Sequence, residues 1–411
     1  MKMQIMMWAG LTALLLFTGA ASAQTPDATH AVIGTGTPAS CQTNQAVNDF
    51  TNAVIAGGVV SFNCGPNFVE IEVNTSVVDK TVTVNGGGLV GLNGEDVRQI
   101  FLVTGTGNLT LNDMSLLDGG GGGGNGGAIS IAANGQVTSN RSYFTSNQVE
   151  SGSNGGAIYT EGELNINDTW LGSNEAKLTG NGGAIYATAG STVIIRDSYL
   201  VSNQAQNGGA IYKLSGSGAF TLDRTGLRNN IARVNGGGVH LSGNVGLILN
   251  STFSSNTADR GGAIHKSGNI PISFATFNEN RADTGGAIYN AGGQTTLSNS
   301  IVTGSREENG GSPSLNCDGP AMTSGGRNII GDGTCVGNSN PEDMQNTDPQ
   351  LGIYQLAPVH GYIPAATSPA IDRGLNCPAV DQRNFPRPLG PACDVGAIER
   401  GSLTYLPLIE R

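Results

Sequence analysis

The sequence predicts an all-β protein wound as a single-stranded parallel β-helix (solenoid), with an N-terminal helical cap and a loop-rich, disulfide-containing C-terminal segment. Three observations predict it. A Gly-Gly-small-aliphatic box recurs seven times, starting at Gly126, Gly155, Gly182, Gly208, Gly236, Gly261 and Gly285, so that successive starts lie 29, 27, 26, 28, 25 and 24 residues apart. A period of that length marks a solenoid or array. Between boxes, an aliphatic or aromatic residue precedes an Asn by three positions, in Phe144/Asn147, Leu171/Asn174, Leu200/Asn203, Leu227/Asn230, Phe253/Asn256 and Phe277/Asn280. The intervening segments, such as 164–167, 193–195 and 220–223, alternate or are β-branched and are bounded by Gly, Asn or Ser, the pattern of half-buried strands. A propeller blade needs about 40 residues, and the Leu ladder of a leucine-rich repeat is missing.

From the N-terminus, Lys2, an apolar run over 9–20 and Ala21-Ser22-Ala23 have the three parts of a secretory signal peptide. Cleavage after Ala23 is expected, placing the protein outside the cell or on its surface. Residues 24–58 are expected to form an N-terminal segment and cap. There, apolar residues at 46, 47, 50, 53 and 54 have the spacing of a short amphipathic helix. A lid of this kind would cover the open coil end, which otherwise offers unpaired strand edges. Val59-Val60-Ser61-Phe62 and the alternating 69–73 read as the first strands of a β-helix over 59–305.

Within the repeats the glycines suit corners that need positive φ or close backbone approach. The Asn column suits an amide ladder running from coil to coil. Ala and Ile of each box, and Phe or Leu of each second motif, are expected in the dry interior.

The paired Gly-Gly-Ala-Ile and Phe-x-x-Asn boxes resemble the repeats of chlamydial polymorphic outer membrane proteins and the wider group of bacterial exported right-handed parallel β-helix proteins. The resemblance covers roughly 108–305 and implies a right-handed winding. Beyond it, Asp348-Pro349-Gln350-Leu351-Gly352, Ser368-Pro369-Ala370-Ile371-Asp372-Arg373-Gly374, Asp381-Gln382-Arg383, Arg387-Pro388 and Cys393-Asp394-Val395-Gly396-Ala397-Ile398-Glu399 resemble, in that order, a choice-of-anchor Q domain. That places a C-terminal segment over 306–400 and a tail over 401–411. One link departs from the pattern: a Gly-Gly-rich, Thr-containing loop is here Ala357-Pro358-Val359-His360-Gly361-Tyr362. Leu406-Pro407 lacks the Thr-Gly that sortase attachment requires, and the tail is too short for an anchor helix.

Six cysteines allow 15 connectivities. Proximity in an exported chain favours Cys41 with Cys64, Cys317 with Cys335 and Cys377 with Cys393, all outside the repeats. With 20 basic and 31 acidic residues the formal charge is −11, and no basic patch points to nucleic acid. After residue 23 no stretch is long enough to span a bilayer as a helix. No cofactor is expected; Ca²⁺ is conceivable from the acidity but has no supporting motif.

Two sets of residues carry functional interest. Three positions before each Phe or Leu lies the column Arg141, Asp168, Asp197, Arg224, Asn250 and Phe274. Stacked, Asp168 and Asp197 could serve as an acid pair, with Arg141 and Arg224 beside them. The plainer expectation is a surface ladder in which two guanidiniums neutralise two carboxylates. The second set follows the boxes: Tyr159, Tyr186, Tyr212, His240, His265 and Tyr289 would form one stripe, a candidate surface for stacking on sugar rings. The leading expectation is a non-enzymatic, adhesin-like or glycan-binding surface protein. The alternatives are a polysaccharide lyase or glycoside hydrolase, and a structural surface-layer component.

Overall fold

The computed structural model describes residues 29–243, 246–308, 313–337 and 340–401. The expected signal peptide, and all of the tail after Gly401, lie outside them.

The chain winds into an all-β parallel solenoid of about 11 turns. Its strands sort into three long parallel sheets of 12, 10 and 12 strands. The repeat boxes are in register. Ile129 pairs with Ile158, and the column continues through Ile185, Ile211, Val239, Ile264 and Ile288. Phe144 begins a second column through Leu171, Leu200, Leu227, Phe253 and Phe277. Every residue of both columns is fully buried, so each coil contributes the same apolar layer to one continuous core.

The Asn column is a buried ladder. Each Nδ2 donates to the next amide oxygen, from Asn147 to Asn174 at 3.0 Å and onward through Asn203, Asn230 and Asn256 to Asn280 at 2.9 to 3.0 Å. The same oxygens also accept the backbone N–H one coil back. Each second amide hydrogen reaches a core-column carbonyl, as from Asn174 to Phe144 at 3.0 Å. All four hydrogen-bonding needs of a buried turn are met in this way.

The box glycines divide two tasks. Gly155 has φ +71°, a left-handed corner. Gly156 sits so close to the next coil that a Cβ would lie 2.1 Å from the Gly183 carbonyl oxygen. The first task needs freedom of φ and the second needs the absence of a side chain.

The predicted helix spans Asn44–Ala56, capped by Thr43 and burying Ala46, Phe50 and Val54. Phe50 packs 5.8 Å from the Phe62 ring and 6.2 Å from Phe101, which closes the coil end as expected. The winding extends past both expected limits of 59 and 305. His30–Ile33 pairs parallel with the 58–62 strand before the helix is reached. After the repeat motif fades, Cys317–Asp318, Thr323–Gly326, Ile329–Ile330 and Met344–Gln345 still pair in parallel. Backbone pairing therefore outlasts the side-chain motif. A further short sheet over 148–149, 175–176, 204–207 and 231–235 was not anticipated.

The remaining chain turns back along the solenoid. An antiparallel hairpin, Leu351–Gln355 with Gly361–Pro364, leads into loops around buried Asp381, Arg387, Asp394 and Glu399. Asp381 accepts from Arg383 and from the backbone of Phe385 and Glu399. Arg387 donates to the carbonyls of Asp394 and Gly396. The ordered motifs of this segment thus build its polar interior. All three disulfides form as expected: Cys41–Cys64, Cys317–Cys335 and Cys377–Cys393.

Candidate functional site

The column that includes Asp168 and Asp197 is a row of left-handed corners. Arg141, Asp168, Asp197, Arg224, Asn250 and Phe274 have φ between 47° and 52°, and Asp113 and Asn299 extend the row at each end. Asn and Asp tolerate this conformation best among residues with a Cβ. A hydroxyl follows most corners and accepts the N–H of the matching residue one coil back, as Thr169 does for Ser142 and Ser198 for Thr169.

The expected neutral ladder is not what forms. Arg141 makes a two-pronged pair with Asp113, at 2.7 and 2.8 Å, rather than with Asp168. Arg224 grips Asp197 at 2.7 and 2.9 Å and also reaches Asp223. Pairing runs toward the carboxylate one coil earlier, so the presence of Asp113 shifts the register and leaves Asp168 over. Among the described residues no side chain makes a hydrogen bond or ion pair with Asp168. Burial and then the adjacent Asp197 carboxylate raise its pKa. Burial also works against the Asp197 carboxylate, but hydrogen bonds from Arg224 and Asn384 outweigh it and hold that pKa below the ordinary value.

Further along, the same corners hold the C-terminal segment. Asn384 donates to Asp197 at 2.8 Å, Asn250 donates to the Val380 carbonyl, and Asn299 both accepts from and donates to Leu375. Phe274, the apolar member, lies under the Arg387 guanidinium at 4.9 Å. The column is a docking rail over most of its length.

Where docking begins, a cleft of about 430 Å³ opens, lined by Tyr143, Asp168, Thr169, Trp170, Tyr199, Ala357 and His360. A second hollow of about 330 Å³ adjoins it, sharing Asp168 and Tyr199 and adding Asp197, Pro358, Gln382, Arg383 and Asn384. Tyr143, Trp170 and Tyr199 are register partners on three successive coils. The next position is Gly226, where a Cβ would meet the Tyr199 ring at 2.9 Å and Gln382 at 3.6 Å. Aromatic residues stop there because the C-terminal segment occupies the space. The opposite wall is the 357–360 loop. His360 lies 3.6 Å from the Tyr199 ring centre and 6.0 Å from Trp170. Burial lowers its pKa, and Arg228 lowers it further. Gln382 fixes the wall, donating to the His360 carbonyl at 3.0 Å and accepting from Thr252 at 2.5 Å.

Tyr143, Trp170, Tyr199 and His360 were not among the expected functional residues. A signal existed for three of them: an aromatic residue directly precedes the core residue in Tyr143-Phe144, Trp170-Leu171 and Tyr199-Leu200. His360 is brought in from a distant part of the chain and had none.

The Tyr/His stripe is a continuous stack. Ring centres lie 5.5 Å apart for Tyr159 and Tyr186, 5.2 Å for Tyr186 and Tyr212, and 4.6 Å for Tyr212 and His240. The spacing is 4.6 Å for His240 and His265 and 5.2 Å for His265 and Tyr289, with interplanar angles of 3° to 17° along the row. The interior ring faces are occupied by one another, so solvent meets their edges. Burial, then the neighbouring ring, pushes His240 down to about 3. Burial, then Arg260, pushes His265 down to about 4.

Among the described residues no group of three or more His, Cys, Asp or Glu is placed to hold a metal ion. No described helix is long and apolar enough to cross a membrane. The model of the Chlamydia polymorphic membrane protein repeat matches residues 141–161, 250–267 and 275–291. Each match contains or adjoins a left-handed corner and runs to the strand bearing Tyr159, His265 or Tyr289. No curated protein and no solved structure matches the chain. The winding is therefore a parallel β-solenoid carrying repeats of the Chlamydia polymorphic membrane protein type.

Proposed function

We propose that this is an exported, surface-presented recognition protein of adhesin type that binds a saccharide in the aromatic cleft beside Asp168. The observation that carries the reading is the convergence of Tyr143, Trp170, Tyr199 and His360 on one open cleft. Flat amphipathic rings beside a few polar groups suit a ligand with alternating apolar and hydroxylated faces. The repeat type and the disulfides support placement at the cell surface.

A hydrolytic reading has one observation in its favour, since Asp168 and Asp197 have their pKa values pushed in opposite directions. Asp197, however, is held by both prongs of Arg224 and by Asn384. A carboxylate so committed is a poor nucleophile or base, and binding is the better account.

The test is a glycan array followed by calorimetry on the best ligand. Trp170→Ala should weaken binding at least about tenfold, the effect of losing a ring contact of about 1.4 kcal/mol or more. Tyr186→Ala, within the closed stack, should leave it nearly unchanged. If no saccharide binds, or if Trp170→Ala binds as well as the parent, the reading fails.

A further inference from the structure

We infer that the saccharide taken by this cleft carries a free amine, with its ammonium group set against the Asp168 carboxylate inside the aromatic wall. The inference rests on the saccharide reading above and names the chemical class of its ligand.

Charge at this cleft is unmatched. Among the described residues no guanidinium around this part of the molecule makes a hydrogen bond or ion pair with Asp168: Arg228 lies over the Tyr354 ring, and Arg196 acts on Asp197 and Asp223. Arg141 is held by Asp113, Arg224 by Asp197 and Asp223, and Arg383 by Asp381. Among the described residues, Asp168 alone of the carboxylates at the cleft has no side-chain partner, and it sits where Trp170 and Tyr199 border the opening. A carboxylate beside aromatic faces is the donor set that recognises an ammonium ion, through ion pairing and attraction to the ring quadrupoles together. A neutral sugar would satisfy the rings and leave the carboxylate to water. A uronic acid would set two negative charges against each other, with Asp197 adjacent. The wall that completes the cleft is the 357–360 loop, the one link where the C-terminal segment departs from its resembled pattern. Its position against Tyr199 makes that departure part of the ligand site.

The corner geometry supplies a safe variant. Asp168 has φ +47°, and Asn250 and Asn299 occupy equivalent corners at the same φ. Asp168→Asn therefore keeps shape and backbone while it removes the charge and turns one acceptor oxygen into a donor.

The experiment is calorimetric titration of the full secreted chain with chitosan oligomers and with N-acetylated chitin oligomers of equal length, at a pH where the amine is charged. The parent should favour the amine form by about tenfold or more, the usual effect of a hydrogen bond to a charged group. Asp168→Asn should abolish that preference. Trp170→Ala should weaken both. Equal affinity for the two oligomers, a preference that survives in Asp168→Asn, or no binding to either overturns the amine assignment. Equal binding of the amine and acetylated oligomers, with both weakened in Trp170→Ala, would sink this assignment alone and leave the saccharide reading standing.

Discussion

At the residue scale, burial turns ordinary polar side chains into structural ones. Asn203 takes four hydrogen bonds in the dry interior: its oxygen serves Asn174 twice and its Nδ2 serves Asn230 and Leu171. Asn203→Ala should cost about 3 kcal/mol, since it strands buried donors and acceptors on both sides, and urea unfolding measures it. Asn167, in the half-buried ladder with Asn140 at 3.1 Å, can turn to water, so Asn167→Ser should cost under about 0.5 kcal/mol. His240 and His265 behave differently because burial opposes their charge. Both titrate near 6.5 when unfolded, against about 3 and about 4 in the fold. As pH falls below 6.5 the unfolded chain takes up these protons first, so stability is lost progressively from pH 6.5 toward about 4 for His265 and about 3 for His240, and nothing is lost above that window. The slope is at most about 1.4 kcal/mol per pH unit for each imidazole. Urea midpoints across the window should fall less steeply in His240→Tyr/His265→Tyr, which keeps the stack and removes the titration. An equal slope in that variant would contradict the assignment.

At the element scale, one coil tolerates change only where it does not touch the next. Gly156→Ala puts a methyl 2.1 Å from the Gly183 carbonyl oxygen. Coils cannot part there without breaking the ladder of parallel bonds, so a loss of about 2 kcal/mol or more in unfolding free energy is expected. Gly190 has nothing within 4 Å of its would-be Cβ, and Gly190→Ala should be neutral within about 0.5 kcal/mol. The two boxes were readable as buried columns because period and burial coincide in every coil. The left-handed corners were readable as a column but not as corners, since Arg141, Arg224 and Phe274 are not residues that announce positive φ. Asn125, Asn154, Asn181, Asn207 and Asn235, which precede the boxes, also went unread. Apart from Asn125, which takes the Asn154 N–H, they bond amide to amide along the surface.

At the scale of the whole molecule, the solenoid is coupled coil to coil, while the C-terminal segment lies across several coils. It touches the corners at Asp197, Asn250 and Asn299. The Cys377–Cys393 bridge closes a loop within it. Replacing both cysteines by Ser should cost the segment about 3 kcal/mol in the chain-entropy picture. Hydrogen exchange should then quicken over 372–395, while amides of the 158–160 and 185–187 strands keep their protection, because each coil draws its stability from its neighbours. Uniform loss of protection would show that the segment and the solenoid unfold as one unit.

Periodic glycine, aliphatic and Asn positions determined the winding, the core columns, the amide ladder and the cap helix, because each is a contact between residues one coil apart or fewer. The cysteine pairs were legible for the same reason of proximity. The tertiary structure decided which charges pair and what faces the cleft. Whether Arg141 turns to Asp113 or to Asp168 depends on side-chain direction at a corner. His360 meets Tyr199 because the chain folds back over distances that no local pattern encodes.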